Sequence, residues 1–200
     1  MEKKIEIDSD GNKLEGLLAL NSPAKAVVVT HPHPLYGGEM HNPVVSTISS
    51  SYYEQDYTTL RFNFRGAGYS QGKHDDGDGE QRDVLAAVSY LQKSGFKNIT
   101  LAGYSFGAWV NLMVAAKSTD IESLILVSPP VDFIAFETVR NVSSLKLVVA
   151  GTRDEYAAIA HVSELLGVWN ADADLEEIEG GDHFYSGSLG QLKEIILSYS

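Results

Sequence analysis

Short apolar runs alternate with segments of helical periodicity along this chain, and no other feature of the sequence constrains its fold as strongly. Residues 4–20 predict a β-hairpin, because Ile5 and Ile7 alternate with polar residues before the turn sequence DSDGN. Further strands are expected in KAVVVT, YTTLRFNF, NITLAGY, SLILVS, LKLVVAG and the weaker DLEEIE. Runs this short and β-branched are typical of strands that are covered on both faces.

Helices are predicted between these strands. Apolar side chains recur at helical spacing within residues 78–95, 106–116, 157–169 and 191–199. In the first segment Asp78 and Gln81 have the spacing of a capping box, and Gly95 suits the helix end. The alternation predicts one α/β domain over residues 1–200, with a mostly parallel sheet, helices on both faces, the hairpin as an antiparallel edge and no cap domain. Ligands of such sheets bind at the carboxyl ends of the strands.

The composition argues against several classes of function. The 200 residues include 27 acidic and 15 basic ones, and the net charge of −12 opposes binding to nucleic acid or to anionic membranes. The absence of cysteine excludes disulfides, a thiolate nucleophile and thiolate metal sites. No apolar run reaches the roughly 20 residues that a membrane helix needs. Because MEKKIEIDSDG lacks the apolar region of a signal peptide, we expect a cytoplasmic protein.

The segment LAGYSFGAWV places a serine between two glycines, directly after a predicted strand and before a predicted helix. Gly103, Ser105 and Gly107 form a G-x-S-x-G pattern, which in this context predicts a nucleophile elbow. A turn this tight leaves no room for side chains two positions either side of the serine. The N-terminus of the following helix favours negative charge at Ser105. The alternative is a plain strand-to-helix turn, and the partners of the serine decide between the two.

Two further residues complete a catalytic triad in the chain order expected for this kind of sheet, which is serine, acid, histidine. Asp154 follows the strand LKLVVAG and His183 follows the last predicted strand, so both lie at the same edge of the sheet as Ser105. The histidine would act as the base and the aspartate would orient it. The competing acids are Asp182, whose side chain should point away from its neighbour's ring, and Glu155, expected on the next helix.

A tetrahedral intermediate needs two N–H donors to stabilise its oxyanion. The N–H of Phe106, the residue after the nucleophile, is one candidate, and residues 31–38 (HPHPLYGG, the HPHP loop) should supply the other. Pro32 and Pro34 have no N–H and cannot serve, whereas His33 and Leu35 can. The sequence does not choose between them, and a loop that only packs is the alternative.

The stretch between the strands SLILVS and LKLVVAG has only about seventeen residues, too few for a cap domain, so we expect a shallow and open site. The aromatic residues that are candidates to line its pocket are Tyr36, Phe133, Tyr156 and Phe184, while Phe136 and Tyr185 are further candidates that could belong to the core.

Arg65 is expected to anchor the glycine-rich loop that follows YTTLRFNF. No metal site is expected, because HDDGDGE lacks the spacing of a calcium loop.

At these residues the chain resembles the α/β-hydrolase family over essentially its whole length. It is most similar to small lidless members of the dienelactone-hydrolase-like kind, which carry segments like HPHPLYGGEMHN and RFNFRGAGYSQG. The resemblance implies hydrolysis by acyl transfer without a cofactor. Dienelactone hydrolases proper use a cysteine nucleophile, which this chain lacks, so the resemblance implies no particular substrate.

These features favour a serine hydrolase that cleaves small or medium carboxylic esters, with thioesters and lactones as related substrates. The enzymatic alternative is a peptidase or acyl-peptide hydrolase, although prolyl-oligopeptidase-like enzymes usually carry a large second domain. A catalytically idle scaffold that binds proteins is the alternative from another class, because a fold alone does not prove activity. The sequence indicates neither the physiological substrate nor the oligomeric state.

Overall fold

A computed structural model describes residues 1–21, 23–136 and 138–199 of the chain. Its strands are β1 (Lys3–Ser9), β2 (Asn12–Ala19), β3 (Lys25–Thr30), β4 (Thr58–Phe62), β5 (Asn98–Tyr104), β6 (Ser123–Val127), β7 (Leu145–Gly151) and β8 (Asp174–Ile178). They form one sheet in the order β1-β2-β4-β3-β5-β6-β7-β8. The β1–β2 hairpin and the β2–β4 pair are antiparallel, and every neighbouring pair from β4 to β8 is parallel. The predicted sheet, with its antiparallel edge, is therefore confirmed.

The helices are α1 (Pro43–Glu54), α2 (Asp78–Lys93), α3 (Phe106–Ala115), α4 (Ile159–Trp169) and α5 (Leu189–Tyr199). The last four were predicted from apolar spacing, whereas α1 was not. Its signal is the pair Asn42 and Pro43, because the Asn42 side chain caps the helix by accepting the N–H of Val44 and Pro43 occupies the first turn. None of the five helices in the described part of the chain is long and apolar enough to cross a membrane.

The start of α2 differs from the predicted capping pair of Asp78 and Gln81. Gly77 precedes the helix with a φ of 97°, and the Glu80 carboxylate accepts its N–H at 2.8 Å. The capping contact thus lies one residue earlier than predicted, because glycine adopts this left-handed conformation more easily than aspartate does. The end was predicted correctly, since Gly95 follows the helix with a φ of 99°.

The helices cover both faces of the sheet. Side chains of α1 and α5 pack with Val27, Val29 and other residues of one face, and those of α2, α3 and α4 pack with Val28 and other residues of the opposite face. The glycine-rich loop after β4 is anchored as expected, because the Arg65 guanidinium donates to the buried Asp83 carboxylate at 2.7 Å. This packing fixes the carboxyl edge of the sheet, where β5, β7 and β8 all end.

Candidate active site

Ser105 lies at a sharp turn between β5 and α3. Its backbone has a φ of 55° and a ψ of −120°, a conformation that a residue with a side chain rarely adopts. The surrounding structure holds it there, because its N–H donates to the Val127 carbonyl of β6 at 2.9 Å and its carbonyl accepts the N–H of Ala108 at 2.9 Å. The Ser105 hydroxyl is thereby fixed above the carboxyl edge of the sheet.

The two glycines of the turn have no room for a side chain. A Cβ atom at Gly103 would lie 2.6 Å from the Gly107 carbonyl oxygen, and one at Gly107 would lie 2.6 Å from the Thr30 hydroxyl oxygen. Both distances are far below a van der Waals contact, so α3 approaches β3 and β5 this closely only because both positions are glycine. The spacing of the motif is therefore a steric requirement of the turn.

The structure brings Ser105, His183 and Asp154 into one hydrogen-bonded row. Ser105 Oγ lies 2.9 Å from His183 Nε2, and His183 Nδ1 lies 2.9 Å from each carboxylate oxygen of Asp154. A carboxylate only accepts, so Nδ1 of the imidazole carries the proton and Nε2 is free to accept from the serine. All three side chains are buried.

The Asp154 carboxylate is held by more than the histidine. Its Oδ1 also accepts the N–H groups of Tyr156 and Ala157, at 2.9 and 3.0 Å. Burial acts to raise the pKa of Asp154. The hydrogen bond and charge of His183, together with hydrogen bonds from Ser128 and Tyr156, outweigh burial and place this pKa below its ordinary value. The carboxylate is therefore ionised at neutral pH.

The competing acids point elsewhere. The Asp182 carboxylate accepts the N–H groups of Phe184 and Ser186, at 3.1 and 2.9 Å, and so closes the turn that carries His183. Glu155 is exposed on the segment before α4. Of the acids weighed from the sequence, Asp154 alone bonds the histidine ring in the described part of the chain.

Tyr104 is a residue of the site that sequence reasoning missed. It lies between Gly103 and Ser105, and its buried phenol donates to the backbone carbonyl of His183 at 2.8 Å. The strand that carries the serine thus also holds the loop that carries the histidine. Its position inside the G-x-S-x-G pattern was the available signal.

The two candidate donors of the HPHP loop differ in the structure. The Leu35 N–H donates to His33 Nδ1 at 3.3 Å, and the Leu35 side chain is exposed. Within the described residues, the N–H groups of His33 and Phe106 make no hydrogen bond. His33 lines the cavity above Ser105, and its carbonyl accepts the N–H groups of Tyr36 and Gly38, at 3.1 and 3.0 Å, which fixes the loop.

An open cavity of about 330 Å³ lies over Ser105. The four aromatic residues expected to line it all do so: Tyr36, Phe133, Tyr156 and Phe184. Phe136 and Tyr185, the further candidates, are buried in the core instead. The lining residues that sequence reasoning did not name include Pro130 and Ile134. The connection from β6 to β7, over 128–136 and 138–144, contains only turns and loops.

The described residues give no indication of a metal site. Across residues 1–21, 23–136 and 138–199, no three His, Asp or Glu side chains are grouped so that they could hold a metal ion. His74 beside the cavity pairs with the buried Glu80 at 2.8 Å, and its ring packs against that of His33.

Comparison with known proteins identifies the class. A family model described as the alpha/beta hydrolase fold matches residues 36–145, and the chain belongs to the α/β-hydrolase family. A relative from Rickettsia prowazekii (strain Madrid E), described as an uncharacterized protein, is 32% identical over 98% of this chain and 87% of its own length.

Two solved structures are similar over nearly the whole chain. An α/β serine hydrolase homologue from Coxiella burnetii is 32% identical, with a TM-score of 0.90 over 98% of this chain and 96% of that one. An α/β serine hydrolase without a lid from Xanthomonas campestris is 30% identical, with a TM-score of 0.90 over 98% and 92% of the two chains. The predicted resemblance to small lidless serine hydrolases is confirmed.

Proposed function

We propose that this protein is a serine hydrolase that cleaves small or medium carboxylic esters through an acyl-enzyme intermediate. The observation that carries the proposal is the row of hydrogen bonds from Ser105 Oγ to His183 Nε2, 2.9 Å long, and from His183 Nδ1 to Asp154, also 2.9 Å. A hydroxyl that donates to a neutral imidazole oriented by a carboxylate is an activated nucleophile. The strained elbow holds this hydroxyl at the floor of the cavity.

The reaction begins when Ser105 Oγ attacks the carbonyl carbon of the ester while His183 Nε2 takes the hydroxyl proton. The carbonyl double bond opens and its electron pair moves to oxygen. When the tetrahedral intermediate collapses, the bond to the alcohol oxygen breaks and His183 Nε2 returns its proton to that oxygen. A water molecule then attacks the acyl-enzyme by the same steps, which releases the carboxylic acid and restores the Ser105 hydroxyl.

The N–H groups of Phe106 and His33 are the proposed donors to the oxyanion. Both are free of other hydrogen bonds within the described residues, whereas the Leu35 N–H already donates to His33 Nδ1 at 3.3 Å. The Phe106 N–H belongs to the first turn of α3, whose N-terminal end favours negative charge. We therefore favour His33 over Leu35 as the second donor.

The size and lining of the cavity support small or medium esters as the substrates. Its volume of about 330 Å³ is at the small end for ligand sites, and its described lining contains no Asp, Glu, Lys or Arg. Small uncharged esters fit this space, and thioesters and lactones would react by the same steps. The single domain over residues 1–200 and the cytoplasmic location stay predictions from the sequence.

The test compares two substrates that differ at one atom, p-nitrophenyl acetate and its amide, p-nitroacetanilide. We expect wild-type protein to cleave the ester, the amide to react far more slowly, and Ser105→Ala to lose ester turnover while it stays folded. Comparable cleavage of the amide would favour the peptidase alternative. A folded wild-type protein that cleaves neither compound would favour the idle scaffold.

A further inference from the structure

Aromatic rings surround the candidate base and continue around the cavity. Successive ring centroids lie 4.8 to 6.2 Å apart along a row that we call the aromatic arc: His33, Tyr36, Phe133, Tyr156, His183 and Phe184. Four of these rings face solvent to a large extent, with exposed fractions from 39% for Tyr156 to 74% for Tyr36. Exposed apolar surface gathered in one place usually marks a binding site.

The two ends of the aromatic arc lie beside different groups of the proposed reaction. One end, Tyr36, packs against His33 of the HPHP loop at 4.8 Å, beside the proposed oxyanion donor. The other end, Tyr156 and Phe184, packs against the ring of His183 at 4.8 and 5.6 Å. In the proposed reaction His183 Nε2 gives its proton to the departing alcohol oxygen, so that oxygen lies next to this second end. The alcohol part of the ester is therefore the part that meets Tyr156 and Phe184.

The backbone holds both of these aromatic residues in place. The Tyr156 N–H donates to Asp154 Oδ1 at 2.9 Å, and its carbonyl accepts the N–H of Asp132 at 3.1 Å. The Phe184 N–H donates to Asp182 Oδ1 at 3.1 Å. These bonds fix the main chain at both residues, and the two rings stand beside the ring of the base. The substrate therefore does not have to order this backbone, which lowers the cost of binding.

The charges around this end disfavour a negatively charged alcohol. No lysine or arginine is among the described residues that line the cavity. Acidic residues lie close in sequence to these rings: Asp132 precedes Phe133, Glu155 precedes Tyr156, and Asp182 lies two positions before Phe184. A flat uncharged ring can meet Tyr156 and Phe184 edge to face or offset-stacked, as aromatic pairs prefer.

We propose that Tyr156 and Phe184 form the subsite for the alcohol part of the ester, and that the favoured substrates carry an uncharged aromatic alcohol. This inference rests on the proposed function, since it takes the direction of proton transfer from that reaction. It assigns the aromatic group to the leaving side of the substrate and not to the acyl side.

Two isomeric esters test this assignment. Benzyl acetate and methyl phenylacetate have the same formula and the same ring, which lies in the alcohol part of the first and in the acyl part of the second. The measurement is kcat/KM for each ester, divided by the rate of alkaline hydrolysis of the same ester to remove intrinsic reactivity. We expect wild-type protein to prefer benzyl acetate by about tenfold, the size expected for two ring contacts.

Variants locate the origin of this preference. Tyr156→Ala and Phe184→Ala should each reduce the ratio several-fold, and because both rings are substantially exposed the folded state should survive their removal. Tyr36→Ala is the matched comparison within the cavity, because its ring lies at the opposite end of the arc, and it should not lower the ratio. Tyr69→Ala, at a side chain 91% exposed and outside the cavity lining, controls for loss of any surface aromatic residue.

The inference is overturned if the wild-type ratio is near one or below it, or if Tyr156→Ala and Phe184→Ala leave the ratio unchanged. It is also overturned if wild-type protein cleaves p-nitrophenyl acetate but neither isomer, a result that leaves the proposed function standing. If p-nitrophenyl acetate is not cleaved at all by folded wild-type protein, the proposed function fails and this inference fails with it.

Discussion

The phenol of Tyr104 donates a hydrogen bond of 2.8 Å to the backbone carbonyl of His183, and both groups are buried. Residue 104 ends β5 and directly precedes Ser105, so one strand sets the positions of the nucleophile and of the loop that carries the base. The contact is one reason why Ser105 Oγ and His183 Nε2 lie 2.9 Å apart although 78 residues separate them in the chain.

Tyr104→Phe should loosen this arrangement. The substitution leaves the His183 carbonyl buried without its donor, at a cost of about 1–3 kcal/mol in the free energy of unfolding. Ester turnover should fall by more than the loss of folded protein explains, because the base is less well positioned. Thermal unfolding and kcat measured on one preparation would check this, with Tyr69→Phe at an exposed position as the control. An unchanged kcat in folded Tyr104→Phe would contradict the positioning role.

Asp154→Asn should reduce ester turnover by orders of magnitude. The amide cannot stabilise the imidazolium and favours the wrong tautomer of His183, and the equivalent change in a serine protease costs about 10⁴ in kcat. Asp182→Asn should have a much smaller effect, because the Asp182 carboxylate accepts backbone N–H groups and does not meet the ring. Turnover by the two purified variants checks the assignment, and a larger loss in Asp182→Asn would reverse it.

Burial of the His31 imidazole should make the free energy of unfolding decrease in mild acid. Its Nε2 accepts the Phe64 N–H at 2.9 Å, its Nδ1 contacts the Pro32 carbonyl at 2.6 Å, and burial lowers the pKa of the ring from 6.5 to about 4. A pKa lowered by folding contributes stability that is present above the unfolded value of 6.5 and is lost as the pH falls towards the folded value. The neutral, buried imidazole thus contributes about 3 kcal/mol to the free energy of unfolding when the pH is well above 6.5.

Denaturant unfolding of wild-type protein and His31→Gln between pH 7 and pH 4 would measure this contribution. Carboxyl groups titrate in the same range in both proteins, so the difference between the two curves isolates the imidazole. We expect wild-type protein to lose more stability than His31→Gln over this interval. Parallel curves would show that the ring does not titrate as its burial implies.

Short acyl esters should be better substrates than long ones. The open cavity of about 330 Å³ buries little of a long chain, so binding energy grows slowly at about 25 cal/mol per Å² of apolar area. In the described part of the chain no cap covers the cavity, so no increase in rate should appear when the substrate forms micelles. The check is kcat/KM for p-nitrophenyl esters of increasing acyl length, below and above their aggregation threshold. A preference for long chains, or a jump in rate at the threshold, would point to a deep acyl tunnel or a moving segment.

The sheet and the positions of Ser105, Asp154 and His183 along it were predictable because each depends on local patterns. Apolar runs mark the strands, and the three residues follow three of these runs at the same edge. The helix α1 escaped prediction although Val45, Ile48 and Tyr52 are buried at helical spacing, because the serines and the threonine between them make this apolar stripe less evident in the sequence. The choice between His33 and Leu35 was not predictable, since it depends on a bond between the Leu35 N–H and the His33 side chain.

The wall of the cavity was only partly predictable for a related reason. Tyr156 and Phe184 stand beside triad candidates in the sequence, so their placement followed from that of their neighbours. Phe136 and Tyr185 are also aromatic and also follow strands in the sequence, yet both are buried in the core. The direction of a side chain in these loops depends on backbone geometry, such as the φ of 54° at Tyr185, which spacing alone does not reveal.

The central claim is that the Ser105 hydroxyl is a nucleophile activated by His183, and covalent labelling tests it most directly. A fluorophosphonate probe reacts with activated serines, and mass spectrometry of the digested protein locates the adduct. We predict one adduct per chain, on the peptide that contains Ser105, with labelling slowed strongly in His183→Ala and absent in Ser105→Ala. Labelling of folded wild-type protein at another serine, or no labelling under conditions in which it cleaves p-nitrophenyl acetate, would contradict the claim.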